Sequence, residues 1–498
     1  MYNTDMNIKA KFSVILLLIV FCSTACNKYL SLKPEDGIIR QEFWKTKEQL
    51  SSAVSGCYAS LLADPLVKNL FLWGELRADM LSPGTSISTE ETNVMNVNIN
   101  SANDITDWSA VYKTINNCNT VLDFGPEVLK SDNTLTPEVL KSYLGEARAL
   151  RALMYFYLAR SFGDVPLKLT STTSDADNLQ IPKSTQAQVF DQILADLKQA
   201  ETEVVKTYGN KDLDKGRMTY YTVEAILADL YLWTDKYDEC IKACDNIINS
   251  DQFTLIPGDS NWFTTLFYQG NSDESIFEIQ FNTAKPNPFY DMFTGSKHFK
   301  AAVQVAPLVY YSDENDITNI DIRGDGAALK FSDGSIYKYQ GVNATTARSS
   351  SSSASIAHYF VYRYADILMM KAEALNQLGQ GQDALDIIAT IRARGNALPA
   401  SALVVDPADK DGITNYLMAE SAREFAYEGK RWYNLLRNAR RNNYARLDLL
   451  LDVVSLTAAP DYQQAAIVKY RDKRSHYFPI FLTELQADKA LVQNPFYQ

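Results

Sequence analysis

Two stretches of this chain repeat one spacing of small side chains across a turn, and that spacing limits how their helices can pack. In LADLYLWTDKYDECIKACDNII, Ala228 is followed twelve positions later by Cys240 and four further on by Cys244. In MMKAEALNQLGQGQDALDIIATI, Ala372 is followed in the same way by Ala384 and Ile388. Small residues at those points let two antiparallel helices approach closely, so each stretch is expected to be a helix–turn–helix pair of one repeated kind.

Helical periodicity extends well beyond the pair. In EARALRALMYFYLAR, Ala147, Leu150, Met154 and Tyr157 form one stripe that Leu153 and Leu158 widen, which predicts a helix over Glu146–Arg160. Gly163 and Pro166 end it. The same patterning predicts helices over Glu48–Leu62, Gln186–Val205, Thr222–Thr234, Asp238–Ile248, Tyr364–Leu378 and Ala384–Arg394. With 21 glycines and 16 prolines in 498 residues, breakers are scarce, which favours long regular elements. Between the helical blocks, residues 251–345 cluster Asn, Asp, Gly and Pro around a strand-like run, Ser275–Phe281. The serine-rich run Thr345–Ser355 reads as a mobile surface loop. The expected architecture is mostly all-α, built of tetratricopeptide-like helical pairs, with a loop-rich, partly β subregion carrying the ligand face. Residues 26–498 are expected to form one domain, with an irregular insert at about 251–355.

The N-terminus reads as an address. Lys9 and Lys11 precede an apolar run, Phe12–Phe21, and Ser23-Thr24-Ala25 leads to Cys26. A basic start, a short apolar stretch and a small-residue cleavage site describe an export signal over residues 1–25. The run is shorter than the ~20 residues a spanning helix needs. A cysteine at that junction resembles a lipobox, which makes Cys26 the expected lipidation site and anchors the mature chain to a membrane. A net charge of -12 argues against nucleic acid as a partner. Beyond the signal, Cys57, Cys118, Cys240 and Cys244 are too few for a disulfide framework. With three histidines in all, a metal site at Cys240 and Cys244 lacks further ligands, and nothing in the chain calls for a cofactor.

Several blocks, in order, carry a resemblance. Tyr29-Leu30 and Pro34 follow the lipobox; Phe43-Trp44-Lys45-Thr46 leads to Gly56 and Tyr58. Trp108, Tyr112, Ile115, Asn116 and Asn119 come next, then Glu146-Ala147-Arg148 through Phe162-Gly163-Asp164-Val165-Pro166-Leu167. Gly216-Arg217, Glu274–Glu278 and Tyr362–Asp366 follow. The C-terminal signature runs from Arg423-Glu424-Phe425 to Glu428-Gly429-Lys430-Arg431-Trp432 and Leu435-Leu436-Arg437, with Phe478-Pro479-Ile480 and Gln493-Asn494-Pro495 in the tail. Along nearly its whole length the chain resembles the SusD/RagB-like outer-membrane lipoproteins of Bacteroidetes. Ser421, Phe481 and Phe496 depart from the usual Arg, Pro and Gly, and Asn27-Lys28 lacks the acidic cluster common after the lipobox. The resemblance implies a tetratricopeptide-like fold with a loop-rich ligand face. It also implies a nutrient ligand, glycan first, and a TonB-dependent SusC-like transporter as partner, on the outer membrane facing the exterior.

Most signature residues read as structural. Glu428, Arg431, Trp432 and Arg437 recur at helical spacing and suit a helix packed through buried ion pairs, as do Arg148 and Arg151. Arg323-Gly324-Asp325 falls in a family loop and is not read as an adhesion motif; Asp313, Asn315 and Asp316 lack the glycine and closing glutamate of a calcium loop. No catalytic motif is present, and Glu90 and Glu91 are adjacent, so they point apart.

Sugars present flat apolar faces rimmed by hydroxyls, so a binding surface wants exposed aromatics flanked by amides and charges. Two regions supply these: Trp73–Asp79 running into Asn93–Asn103, and Asn282–Phe299. Trp73, Glu75, Arg77 and Asp79 suit a core at least as well. Tyr290 and Phe293, beside prolines, are expected to be the stacking platform, with Asn96, Asn98 and His298 on the hydroxyl rim and Trp73 and Arg77 contributing. Removing both rings is expected to weaken binding by ~1–3 kcal/mol without lowering the melting temperature. The chain is therefore expected to be a binding protein and not an enzyme. A surface-anchored glycan hydrolase and a repeat scaffold that binds only protein are the rival readings.

Overall fold

The computed structural model describes residues 43–173, 179–311, 313, 315, 316, 318–340 and 351–498. The signal segment, Cys26, Tyr29, Leu30 and Pro34 lie outside them. The architecture is helical, as expected, and begins with α1 (Lys47–Leu61) and α2 (Asp64–Glu75). Strand β1 (Leu81–Pro83) and the short α3 (Thr89–Met95) follow. Two long helices, α4 (Ser109–Ser131) and α5 (Pro137–Phe162), pack on one another. Helix α5 is two turns longer at its start than its stripe predicts, because Thr136 caps it and Pro137 occupies its first position. Gly163, at φ +76°, ends it. A two-residue bridge pairs β2 (Val165–Pro166) with β3 (Lys183–Ser184) before α6 (Gln186–Glu201) and α7 (Lys211–Gly216).

The repeated unit is real and its period is regular. Helices α8 (Tyr220–Trp233) and α9 (Tyr237–Ile248) form one hairpin; α10 (Tyr364–Gln377) and α11 (Gly381–Arg394) form the other. The turns match bond for bond: Lys236 N–H donates to the Tyr231 carbonyl at 2.8 Å and Gln380 N–H to Leu375 at 2.9 Å. Asp235 and Gly379 hold the same left-handed position, φ +59° and +80°. Ala228, Cys240, Cys244, Ala372, Ala384 and Ile388 are all buried where the helices meet. The two hairpins also pack together, and Lys371 on α10 bonds Asp245 on α9 at 2.5 Å. Cys240 and Cys244 are thus packing residues, and among the described residues no group of three or more His, Cys, Asp or Glu is placed to hold a metal.

After the second hairpin come α12 (Lys410–Glu424), α13 (Arg431–Tyr444), α14 (Asp448–Thr457), α15 (Pro460–Tyr470) and α16 (Leu482–Ala487). The last turn of α13 is broken at Arg441–Asn443. The C-terminal signature therefore does not lie on one helix as its spacing suggested. It crosses from the end of α12 to the start of α13, and Glu428 sits in the connection with Tyr427 and Gly429, both at positive φ. There Gly429 meets Gly74 of α2 so closely that a Cβ on Gly74 would lie 1.7 Å from the Gly429 carbonyl oxygen. No helix of the described residues is long and apolar enough to cross a membrane.

The irregular region between the hairpins contributes β4 (Ser275–Ile279), paired antiparallel with β6 (Tyr359–Arg363), and β5 (Phe299–Ala301). It also holds three π-helical turns, Thr265–Gln269, Asp291–Gly295 and Val305–Tyr310. Part of the serine-rich run lies outside the described residues. Its end is ordered: Ser352–Ala354 form a 3-10 turn, and buried Ser355 donates to Asn287 at 2.7 Å.

Beneath this region lies a charged core. Arg363, wholly buried at the end of β6, reaches Glu274 and Glu424, both at 2.6 Å, and Glu428 at 2.9 Å. Arg323 reaches Asp321, Glu420 and Glu424, so the arginine of the Arg-Gly-Asp triplet is spent inside the protein, while Asp325 is exposed. Lys338 bonds Glu428 at 2.7 Å. Burial alone would raise these carboxyls, but Arg394, Arg363 and Arg323 hold Glu424 well below the usual carboxylate range. Arg363, Lys338 and Lys430 likewise overcome burial at Glu428 and bring it to about 2. Elsewhere Arg431 grips Asp79 through two 2.8 Å bonds, Arg437 grips Glu373, Arg151 grips Asp196, and Arg148 pairs with Glu203. These family residues hold elements together, as their spacing and type predict.

Candidate functional site

The two loop regions singled out in the sequence meet in space. Strands β1 and β5 pair antiparallel, with Leu81 opposite Ala301, Ser82 opposite Lys300 and Pro83 opposite Phe299. The pairing runs on past both ends: Gly84 N–H donates to the His298 carbonyl at 2.8 Å, and Ala302 N–H to Met80 at 2.9 Å. Only glycine fits at 84, because a Cβ there would lie 2.1 Å from the Lys297 carbonyl oxygen. The turn at 330–335, signalled in the sequence by Asp333-Gly334, lies along β5 and accepts the Ala301 N–H at Gly334.

Between ribbon and turn lies a cleft of about 570 Å³, walled by Ser82, Lys300, Val303, Phe331 and Asp333. Val303 is 88% exposed. Phe331 leans on Tyr310 with ring centres 6.3 Å apart and is half-buried, which leaves ring surface toward the cleft. Lys330 and Asp333 pair at the rim at 2.9 Å, and that ammonium holds the Asp333 carboxyl well below its ordinary range. A depression of about 320 Å³ with a more apolar surface lies elsewhere, between Trp108, Tyr112, Leu179 and Leu491, with Lys168, Glu484 and Asp488 in its lining, and it offers less room.

The structure redistributes the sequence candidates. Phe293 is fully buried, a correction to its role as a platform. The Asp291–Gly295 π turn swings its ring inward, stacked on Phe289 at 5.9 Å and edge-on to Phe71 at 5.6 Å. Trp73 is fully buried too, its indole N–H donating to the Ile105 carbonyl at 2.6 Å. Arg77 is a core cation, lying 4.3 Å from the Trp432 ring centre and 3.9 Å from Phe478, and donating to the His476 carbonyl. None of the three presents a surface to a ligand. Asn96 is buried and caps Ala459 N–H, whereas exposed Asn98 lies beside Lys469 at 3.3 Å.

Tyr290 and His298 stay partly exposed, Tyr290 at the start of the π turn and His298 with Nδ1 2.8 Å from the Glu91 carboxylate. Sequence reasoning passed over Lys300, Val303, Phe331 and Asp333. The turn signature beside Phe331 was the available clue, but only the pairing of β1 with β5 makes it a wall.

Near Glu75 the core holds an unusual group. Its Oε2 accepts the Gly429 N–H at 3.1 Å, while Oε1 is buried without a hydrogen-bond partner. Burial, reinforced by the Asp79 charge, pushes this carboxyl up to about 8.

Comparison with known proteins agrees with the helical fold. The profile described as "SusD family" matches residues 261–497, and that described as "Starch-binding associating with outer membrane" matches residues 28–232. SusD-like protein P38 of Formosa agariphila is 26% identical over 86% of this chain and 91% of its own length. SusD-like protein P2 of the same organism is 24% identical over 86% and 90%. Among solved structures, a SusD superfamily protein from Bacteroides vulgatus superposes with a TM-score of 0.73 at 22% identity, covering 91% of this chain and all of its own. A SusD homologue from Bacteroides thetaiotaomicron gives 0.72 at 18%, over 92% and 99%. The chain belongs to the SusD/RagB-like family of outer-membrane-associated proteins.

Proposed function

We propose that this chain is a lipoprotein, anchored through Cys26 on the outer face of the outer membrane. It captures glycan in the β1–β5 cleft and hands it to a TonB-dependent SusC-like transporter. The cleft's composition carries the reading: one flat aromatic face, Phe331, beside an apolar wall at Val303, with hydroxyl, ammonium and carboxylate groups at the rim. The same composition argues for binding without turnover. Among the described residues, Asp333 is the one carboxylate in the cleft wall and it is ion-paired, whereas glycoside hydrolysis needs two carboxyls facing one bond.

Calorimetry against a panel of oligosaccharides tests the reading. Phe331→Ala is expected to weaken the bound sugar by ~1–3 kcal/mol with little change in melting temperature, by analogy with other stacked rings. Unchanged affinity would move the site. Turnover abolished by one carboxylate substitution would replace binding with hydrolysis. The anchor is checked separately: Cys26→Ala is expected to release the chain from membranes, and retention there would refute it.

A further inference from the structure

We infer that the glycan carries anionic groups, carboxylate or sulfate, which seat on Lys297 and Lys300. The inference rests on the reading of the β1–β5 cleft as a glycan site. Residues alternate faces along β5: Phe299 and Ala301 are buried, and Lys300 between them is exposed in the cleft wall. Lys297 stands just before the strand, at φ +55°. That left-handed conformation costs a non-glycine residue on the order of 1 kcal/mol. The backbone is held there from both sides, since the Lys297 carbonyl accepts Ser86 N–H and its own N–H donates to Asp291. The fold thus places an ammonium where glycine would be cheaper.

The acids on this face have partners of their own, cationic at Glu91, Asp333 and Asp64 and neutral donors at Asp291 and Asp325. Glu91 is 2% exposed, and its carboxylate accepts Ser88 N–H, bonds His298 and lies 3.7 Å from Lys68. Asp333 is paired with Lys330, Asp291 accepts from Ser352, Asp325 accepts Phe331 N–H, and Asp64 is paired with Lys285. Lys297 and Lys300 have no acidic partner within ion-pair distance among the described residues. In a chain of net charge -12, an uncommitted ammonium in the cleft wall, with a second three residues before it in the chain, favours anions there. Neutral sugar hydroxyls would leave both charges unused.

The test uses the purified full chain and two matched pairs of polymers: polygalacturonate with its carboxyl-reduced form, and dextran sulfate with dextran. Binding to at least one charged member is expected, with its neutral counterpart bound roughly ten-fold more weakly or worse. Lys297→Gln with Lys300→Gln should abolish the difference at unchanged melting temperature, and Lys→Arg at both positions should restore it. The charged pair that binds distinguishes carboxylate from sulfate. Equal or stronger binding of the neutral members overturns the inference and leaves the glycan reading standing. Charged binding that survives the double glutamine variant overturns the assignment to these lysines. No binding to any polymer, neutral or charged, overturns both readings.

Discussion

Around Arg363 the buried carboxylates each face an arginine or lysine at hydrogen-bond distance, whereas Lys300 on β5 stands in solvent and half-buried Lys297 lies just before it, both without an acidic partner among the described residues. The first region draws its residues from the family's sequence signature; the second draws almost none. Buried ion pairs tolerate no partial change, because removing one member strands the others in a medium that cannot solvate them. Exposed cations beside a cleft exchange freely with little effect on folding. The family resemblance is therefore legible in the buried ion-pair network and not in the rim of the proposed cleft.

Breaking the first region should produce the largest effect. Arg363→Ala leaves Glu274, Glu424 and Glu428 under-compensated and is expected to cost at least ~3–5 kcal/mol, read as a lower urea midpoint or loss of folded protein. A small loss would mean that Arg394 and Lys338 carry the network without it. Close behind, Phe293→Ala should cost ~3–5 kcal/mol as a core truncation, while Tyr290→Ala should cost less than ~1 kcal/mol. Equal costs would erase the distinction between core and rim in that loop.

Glu75 sharpens the comparison through pH. Its folded carboxyl binds a proton more tightly than the unfolded one, with a value near 8 against an ordinary 4.5. Its contribution to stability is therefore complete below about 4.5 and is lost as pH rises to about 8. Glu75→Gln should gain on the parent protein by up to ~1.4 kcal/mol per pH unit across that window and level off above it. A constant difference from pH 5 to 9 would mean that the group is ionised in the fold. The smallest effect is expected at the cleft rim, where Lys330→Ala should shift stability by less than ~1 kcal/mol.

The helical hairpins were readable because their determinants are local. Ala228 with Cys240, and Ala372 with Ala384, lie within one turn-crossing of each other, and periodicity marks the rest. The strand at Ser275–Ile279 was readable for the same reason. Phe293 was misread because prolines at 286 and 288 do signal a loop, but nothing local tells which way a π turn aims its ring. Trp73 and Arg77 sit at the end of α2, where the core reading prevails through contacts with Ile105, Trp432 and Phe478 far along the chain. Phe331 and Lys300 become neighbours only through pairings invisible to any short window.

Three residue pairs hold β1 to β5, and the two strands lie more than two hundred positions apart in the chain. Closing so long a loop has an entropic cost that is offset only once the helices on either side have docked. The ribbon should therefore be among the last features to form and among the first to open transiently. Each opening parts Ser82 from Lys300 and splits the cleft wall in two. A ligand that touches both strands would then work as a clasp. Its binding would slow amide exchange at Gly84, Ala301 and Ala302, while the amides of α8 and α9 would exchange as before.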